Sequence, residues 1–263
     1  MASYQQMLIE AMPWSYSRLT AFDDCRYGWY LKYIQGCQSD DRGFFSGFGS
    51  LMHEILELYL SGKASRESLV GYYLNRFREA TQGDVPKPEM RLRYFEDGLE
   101  IVRNLEPLPY KPLALEHRFR VPLGDRKLVG IIDYVGRDEA GNLVVVDHKS
   151  RHLKPRSNRK KPTETDLELD RYLRQLYLYA IPVFLEFRNF PAELAFNCFR
   201  DGRLIKEKFD HQKFDETARW ATDKITEIST NEDWSPNIDY FKCKYLCSMK
   251  DHCEYYQANF GKE

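Results

Sequence analysis

The stretch Leu128–Ser150 reads LVGIIDYVGRDEAGNLVVVDHKS. Two apolar runs flank Asp138-Glu139-Ala140-Gly141-Asn142, a turn-forming cluster, and together they predict a β-hairpin. Strand alternation places Val129, Ile131, Asp133 and Val135 on one face of the first strand. It places Leu143, Val145, Asp147 and Lys149 on one face of the second. With the turn near residue 140, Asp133 and Asp147 face each other. Two carboxylates on apolar faces repel and raise each other's pKa unless a cation separates them. A divalent ion held by oxygen ligands meets that need. Lys149, on the same side as Asp147, is placed to stabilise an anion or orient a water. The plainer alternative is a buried Asp–Lys ion pair that only closes a strand end.

Outward from this hairpin the periodicity changes. Towards the N-terminus the pattern is helical through about residue 105. Ser15 or Ser17 is placed to cap a helix running toward Ile34. Phe48, Leu51, Met52, Ile55, Leu56 and Tyr59 follow the helical repeat over 48–60, and further helices are predicted over 65–80 and 88–105. Period-two segments at 113–121, 127–136 and 143–150 read as strands. A helix over 164–187, bent near Pro182, then strands at 192–200 and 203–209 and a helix at 212–229 complete the pattern. The order predicts an α+β fold with a central mixed β-sheet flanked by helices. The expected organisation is a single domain over 1–263, with a helical N-terminal region (1–110), a core (111–231) and a cysteine-rich C-terminal region (232–263).

Composition narrows the function. The chain has 263 residues, 43% hydrophobic, and 39 Lys plus Arg against 40 Asp plus Glu, a net charge of −1. A globally basic nucleic-acid coat is excluded, so any nucleic-acid site is local. The longest uncharged apolar stretch, Gln175–Leu185, falls short of the roughly 20 residues a bilayer span needs, so no membrane is expected. The first residues lack the basic-then-apolar pattern of a signal peptide, which makes the cytoplasm the expected compartment. Six cysteines are present, and Cys243, Cys247 and Cys253 form C-x3-C-x5-C. In a reducing compartment such a cluster points to metal or redox chemistry before disulfides.

Four segments together carry a family resemblance. Ile132-Asp133 followed by Asp147-His148-Lys149 resembles the PD-(D/E)XK nuclease signature, with Ile132 in place of the proline. GFGSLMHEILELYL, with Gly49 and His53, resembles the G-x-x-x-H helix of RecB-like nucleases. RQLYLYA, with Gln175 and Tyr179, resembles their Q-x-x-x-Y helix. SYSRLTAFDDCRYGWYLKYI resembles their N-terminal S-x-S-x-L...C motif. The resemblance implies a restriction-endonuclease-like core and a metal-dependent deoxyribonuclease. In it, Asp133, Asp147, Lys149, Gln175 and Tyr179 are catalytic. His53, Asp133, Asp147 and the backbone carbonyl of His148 hold Mg2+ or Mn2+. Glu116 shares a strand face with Arg118 and Arg120, so a surface ion pair competes with an active-site role for it.

The resemblance also implies that Cys25, Cys243, Cys247 and Cys253 bind a [4Fe–4S] cluster, as in CRISPR-associated exonucleases and AddB-type nuclease domains. Zinc and no metal stay open as alternatives. Cys37 and Cys198 are left as structural thiols. The segment KSRHLKPRSNRKK, residues 149–161, carries seven Lys or Arg and no acid. Lys154, Arg156, Arg159, Lys160 and Lys161 are the expected DNA contacts, with a solvated loop as the alternative. The resemblance implies single-strand exonuclease activity in recombination, repair, CRISPR adaptation or phage DNA processing. A DNA-end-binding subunit of a larger complex is the second reading. No G-x-x-x-x-G-K-[ST] phosphate loop occurs, so unwinding would fall to a helicase partner.

Overall fold

The computed structural model describes residues 4–39 and 43–261. The helical first part contains α1 (Tyr4–Ala11), α2 (Tyr16–Asp24), α3 (Arg26–Tyr33), α4 (Phe44–Leu60), α5 (Arg66–Ala80) and α6 (Pro88–Arg103). Next come β1 (Lys111–Leu123), β2 (Arg126–Arg137), β3 (Leu143–His148), α7 (Glu164–Phe187), β4 (Glu193–Cys198), β5 (Arg203–Lys208) and α8 (His211–Ser229). A π-turn (Lys242–Leu246), a 3-10 turn (Lys250–His252) and α9 (Glu254–Phe260) follow. The strands form one sheet in the order β1-β2-β3-β4-β5. The β3–β4 pair is parallel, joined by the α7 crossover, and the other pairs are antiparallel. This is an α+β fold of the restriction-endonuclease type, with a mixed sheet flanked by helices. Among the described residues no helix is long and apolar enough to cross a membrane.

The central strand β3 is buried along its whole length, LVVVDH, because both of its faces are covered. Val145 packs with Leu169, Leu173 and Leu176 of α7. Val144 and Val146 lie on the other face with Tyr134 and Ala195, against Leu60 of α4. A separate apolar cluster joins α4, α5 and α6 around Phe48, Met52, Ile55 and Tyr73. Another joins the first three helices to α8 around Trp14, Trp29 and Ile225.

Two expectations need correction. The helix predicted from Ser15 toward Ile34 is two helices, broken at Cys25, whose backbone is extended (φ −164°, ψ 111°). The Cys25 sulfur instead caps α3, accepting from Gly28 N at 3.3 Å. The single apolar face read into β2 is also wrong: Leu128, Ile132 and Tyr134 are buried, whereas Val129, Ile131 and Asp133 are only half-buried. The strand loses its simple alternation where it leaves β3. As expected, α7 is one helix over Glu164–Phe187 with Pro182 inside it, where the proline withholds one main-chain hydrogen bond.

The start of α7 is fastened by Asp166. Its carboxylate accepts from Ser157 N and Oγ and from Thr163 N and Oγ, at 2.6–2.7 Å. These donors, the Ser157 hydroxyl first, pull its pKa well below the usual carboxylate range. The stability it contributes is therefore complete above the unfolded-state pKa of roughly 4 and disappears as pH falls through the lower folded-state value. Asp166→Asn is expected to lower the melting temperature at pH 7, with the gap to the parent closing in melts run at successively lower pH below about 4.

Candidate active site

β2 and β3 pair from Arg137–Leu143 to Tyr134–Val146 and then part. Asp133 and Asp147 occupy the next step of that register, where the strands diverge. There the Asp133 carboxylate accepts the His148 N–H, at 2.7 Å on Oδ2. On the β1 side, Glu116 falls beside Asp133, between the registered pairs Leu115–Tyr134 and His117–Ile132. Glu116 has φ 46°, in the left-handed region. That conformation costs a non-glycine residue roughly 1 kcal/mol or more, and the pairs on either side hold it in place. It removes Glu116 from the simple alternation with Arg118 and Arg120 that suggested a surface ion pair. From α4, His53 brings Nδ1 to 3.6 Å from Asp133 Oδ2. His53, Glu116 and Asp133 each offer a ligand atom within 4.8 Å of the other two.

The charges here are mutually strained. Burial pushes the Asp133 pKa well above the usual range, and Asp147 and Glu116 push it further. Burial raises Glu116, with Glu57 and Asp147 adding to it, and lowers His53. His148 points to the face opposite Asp147, edge-on to His53 with ring centroids 5.7 Å apart. Burial lowers its pKa to about 3, so the ring is neutral at pH 7. Its Nδ1 lies 3.0 Å from Asn197 Nδ2, and Asn197 O accepts from Lys149 N at 2.9 Å. Asn197 escaped sequence reasoning, since only the parallel β3–β4 pairing brings it here.

On the α7 face, the Asp147 side chain is 3% exposed and the Lys149 side chain 17%. Lys149 Nζ lies 2.7 Å from Asp147 Oδ2, too oblique for a hydrogen bond, so that buried oxygen has no hydrogen-bond donor. Lys149 instead donates to Gln175 Oε1 at 2.8 Å, and Gln175 Nε2 donates to the Tyr179 hydroxyl at 2.8 Å. Gln175 and Tyr179 stand one helical turn apart on α7 and thus fix the lysine. Burial raises the Tyr179 pKa far above its usual value, which keeps the phenol neutral. Gly130 permits this packing: a Cβ there would come within 2.7 Å of the Phe119 ring, which packs edge-on against Tyr179.

Oxygen and imidazole ligands of His53, Glu116 and Asp133 at one strand divergence, with carboxylates whose pKa values are raised by burial and by one another, fit a divalent cation. The ion-pair alternative is present in the same atoms, since Asp147 and Lys149 do pair. It does not explain why Glu116, Asp133 and His53 converge beside them.

The basic segment is less free than expected. Leu153 is buried in the core beneath the sheet. Arg156 bridges Asp170 at 2.7 Å and Glu207 at 3.0 Å, which fastens the loop to α7 and β5 and takes Arg156 from the expected DNA contacts. Lys154, Arg159, Lys160 and Lys161 are exposed and make no ion pair among the described residues.

Cys25, Cys243, Cys247 and Cys253 line one cavity of about 750 Å³. The sulfurs of Cys25, Cys247 and Cys253 accept main-chain N–H groups of Gly28, Met249 and Tyr256. These donors pull the thiol pKa values down, but burial outweighs them, pushing Cys247 up to about 11 and raising Cys253, so the metal-free sulfurs are thiols. No three of the sulfurs lie within 4.8 Å of one another among the described residues. The four cysteines share a cavity without forming a gathered metal-ligand group among the described residues. Cys198 is buried in the sheet core, away from this group.

The sequence model of the PD-(D/E)XK nuclease superfamily matches residues 13–254. The chain belongs to that superfamily. Its nucleases use divalent metal ions, in keeping with the acidic site between β1, β2 and α4. The crystal structure of a proposed exonuclease from Eubacterium rectale aligns with a TM-score of 0.53 at 14% identity, over 98% of this chain and 93% of that one. That likeness supports the fold. The crystal structure of SSO0001 aligns at 17% identity over 77% of this chain and 85% of that one, but its TM-score of 0.29 carries no argument. No curated protein sequence matches the chain.

Proposed function

We propose that this nuclease is a divalent-metal-dependent single-strand DNA exonuclease whose cysteines hold a [4Fe–4S] cluster. The reading is carried by the convergence of His53, Glu116 and Asp133 beside the buried Asp147–Lys149 pair. His53, Glu116, Asp133, Asp147 and the His148 carbonyl are the residues that would hold Mg2+ or Mn2+. Such an ion supplies Lewis-acid polarisation of the phosphate and a lowered pKa for attacking water. Lys149, fixed by Gln175, presents its ammonium to the developing charge. Gln175 and Tyr179 set the position of that ammonium. Asn197 holds the His148 ring and the main chain at Lys149.

Cys25, Cys243, Cys247 and Cys253 would hold the cluster, whose contribution is structural: it ties the chain's first helices to its cysteine-rich end within a single 1–263 domain. A helicase, recombination or CRISPR-adaptation partner would supply ends or unwound strands. The deciding experiment is a Mn2+-dependent cleavage assay on single- and double-stranded DNA labelled at either end. Shortening of single strands from one end supports the reading, and absence of any metal-dependent cleavage refutes it.

The exposed part of the basic loop has its own test. Replacing Lys154, Arg159, Lys160 and Lys161 with Gln, and leaving the structural Arg156, is expected to weaken single-strand binding. The log–log salt slope should fall by roughly 0.7 for each lost phosphate contact. A slope equal to the parent's would make the loop a structural strap only.

A further inference from the structure

The cavity that holds the four cysteines extends along α7 toward the active site. Its wall on that side carries Arg151, Arg171 and Arg174, with the aromatic rings of Tyr172 and Trp220 and the phenol of Tyr16; Glu168 of α7 and Asp23 and Asp24 of α2 line the same cavity. None of the three arginines has a carboxylate partner among the described residues. Two of them lie over rings: Arg174 is 4.7 Å from the Trp220 centroid and Arg151 is 4.9 Å from that of Tyr172. Tyr172 is shared with the active site, since Lys149 Nζ lies 5.9 Å from the same ring. The Tyr16 hydroxyl donates to Arg171 O at 2.8 Å. Burial pushes the Tyr16 pKa up to about 12; Arg174 and Arg151 pull against this shift and Asp147 adds to it.

Unpaired guanidinium groups beside aromatic faces have one common use that suits a nuclease. The cations meet phosphates, and the rings stack bases of any identity. A cleft of this volume is of the size that encloses a small ligand. We infer that the groove from Tyr172 past Arg171, Arg174 and Trp220 to the cysteine-lined end is the track of the single-stranded DNA segment flanking the scissile phosphate. The inference rests on the proposed single-strand activity and adds a binding surface separate from the Lys154–Lys161 loop. In it, Arg151, Arg171 and Arg174 contact phosphates, and Tyr172 and Trp220 carry bases.

Full-length protein with its cysteine site loaded is titrated, in EDTA, against a fluorescein-labelled oligothymidylate over a salt series. The parent must bind. Arg171→Gln/Arg174→Gln is expected to lose at least about tenfold in affinity and to reduce the log–log salt slope by roughly 1.4, two contacts at about 0.7 each. Trp220→Leu is expected to lose about tenfold with the slope unchanged, since stacking releases no counterions. Should Trp220→Leu or the double variant melt early, Arg151→Gln/Arg171→Gln, both on exposed residues, gives the same reading. An oligonucleotide carrying 5-iodouracil is photolysed with the parent, and the expected crosslinked peptides contain Tyr172 or Trp220. Parental affinity and slope in the arginine variants, or crosslinks confined to Tyr240 and Tyr255, overturn the track while leaving the nuclease reading intact. A parent that binds no single strand overturns both.

Discussion

Asp147→Asn is expected to abolish metal-dependent cleavage, by a factor of roughly 1,000 or more, and to leave the melting temperature within a few degrees of the parent. A charged oxygen ligand supplies several kcal/mol of transition-state stabilisation in such a site, and each ~1.4 kcal/mol is tenfold in rate. The fold tolerates the change because two effects offset. Asp147 raises the pKa of Asp133, so removing its charge relieves that repulsion. Lys149 loses its carboxylate but keeps its hydrogen bond to Gln175. Lys149→Ala behaves differently. It lowers turnover about 100- to 1,000-fold, as loss of one preorganised donor does. It also leaves the 3%-exposed Asp147 side chain without its counter-ion, which costs roughly 3–5 kcal/mol. At about 2–4 °C per kcal/mol, the metal-free variant is expected to melt about 6–20 °C early. Mn2+ restores part of that loss, because it answers the same buried charge. Melts with EDTA and with Mn2+, beside cleavage rates, read both variants at once. Equal early melting of the two, with no gain from Mn2+ in the parent, would reduce the pair to a structural ion bridge.

On the proposed cluster, Cys247→Ser is expected to remove the iron and lower the melting temperature by about 10–20 °C, whereas Cys198→Ser is expected to keep the full iron content. A bridge between the Cys25 segment and the cysteine-rich end closes a loop of about 220 residues, worth about 5 kcal/mol in the unfolded-state entropy model. Cys198 is not part of that bridge: it lies in the sheet core, where burial raises its thiol pKa to about 11. Anaerobically prepared parent protein is expected to be brown with about four irons per chain. Colourless protein holding one zinc per chain would refute the cluster assignment. Iron analysis and thermal melts of the three proteins separate these outcomes.

Much of the architecture was legible because local periodicity and burial agree. The helical repeat over Phe48–Tyr59, the apolar strand at Leu143–Val146 and the turn residues between Asp138 and Asn142 each report the packing of their own element. The opposition of Asp133 and Asp147 was legible for the same reason, since a short hairpin fixes register. Alternation misled where the sheet opens: β2 changes the face it buries at the step where it leaves β3, and no local pattern marks that point.

The sequence by itself determined the chemistry on offer: carboxylates and a lysine on adjoining strands, a histidine off its helix stripe, a glutamine and tyrosine one turn apart, and cysteines at both ends of the chain. Tertiary structure decided which of these meet. Glu116 joins His53 and Asp133 only because its backbone is held in a left-handed conformation by the pairs around it. Arg156 became a strap because Asp170 and Glu207, from two other elements, converge on it. Asn197 reached His148 through a parallel strand pair, and Cys25 broke a helix to point its sulfur at the far end of the chain. Each of these contacts is long-range. Its energy comes from burial and charge pairing between segments far apart in sequence, which a reading along one segment does not contain.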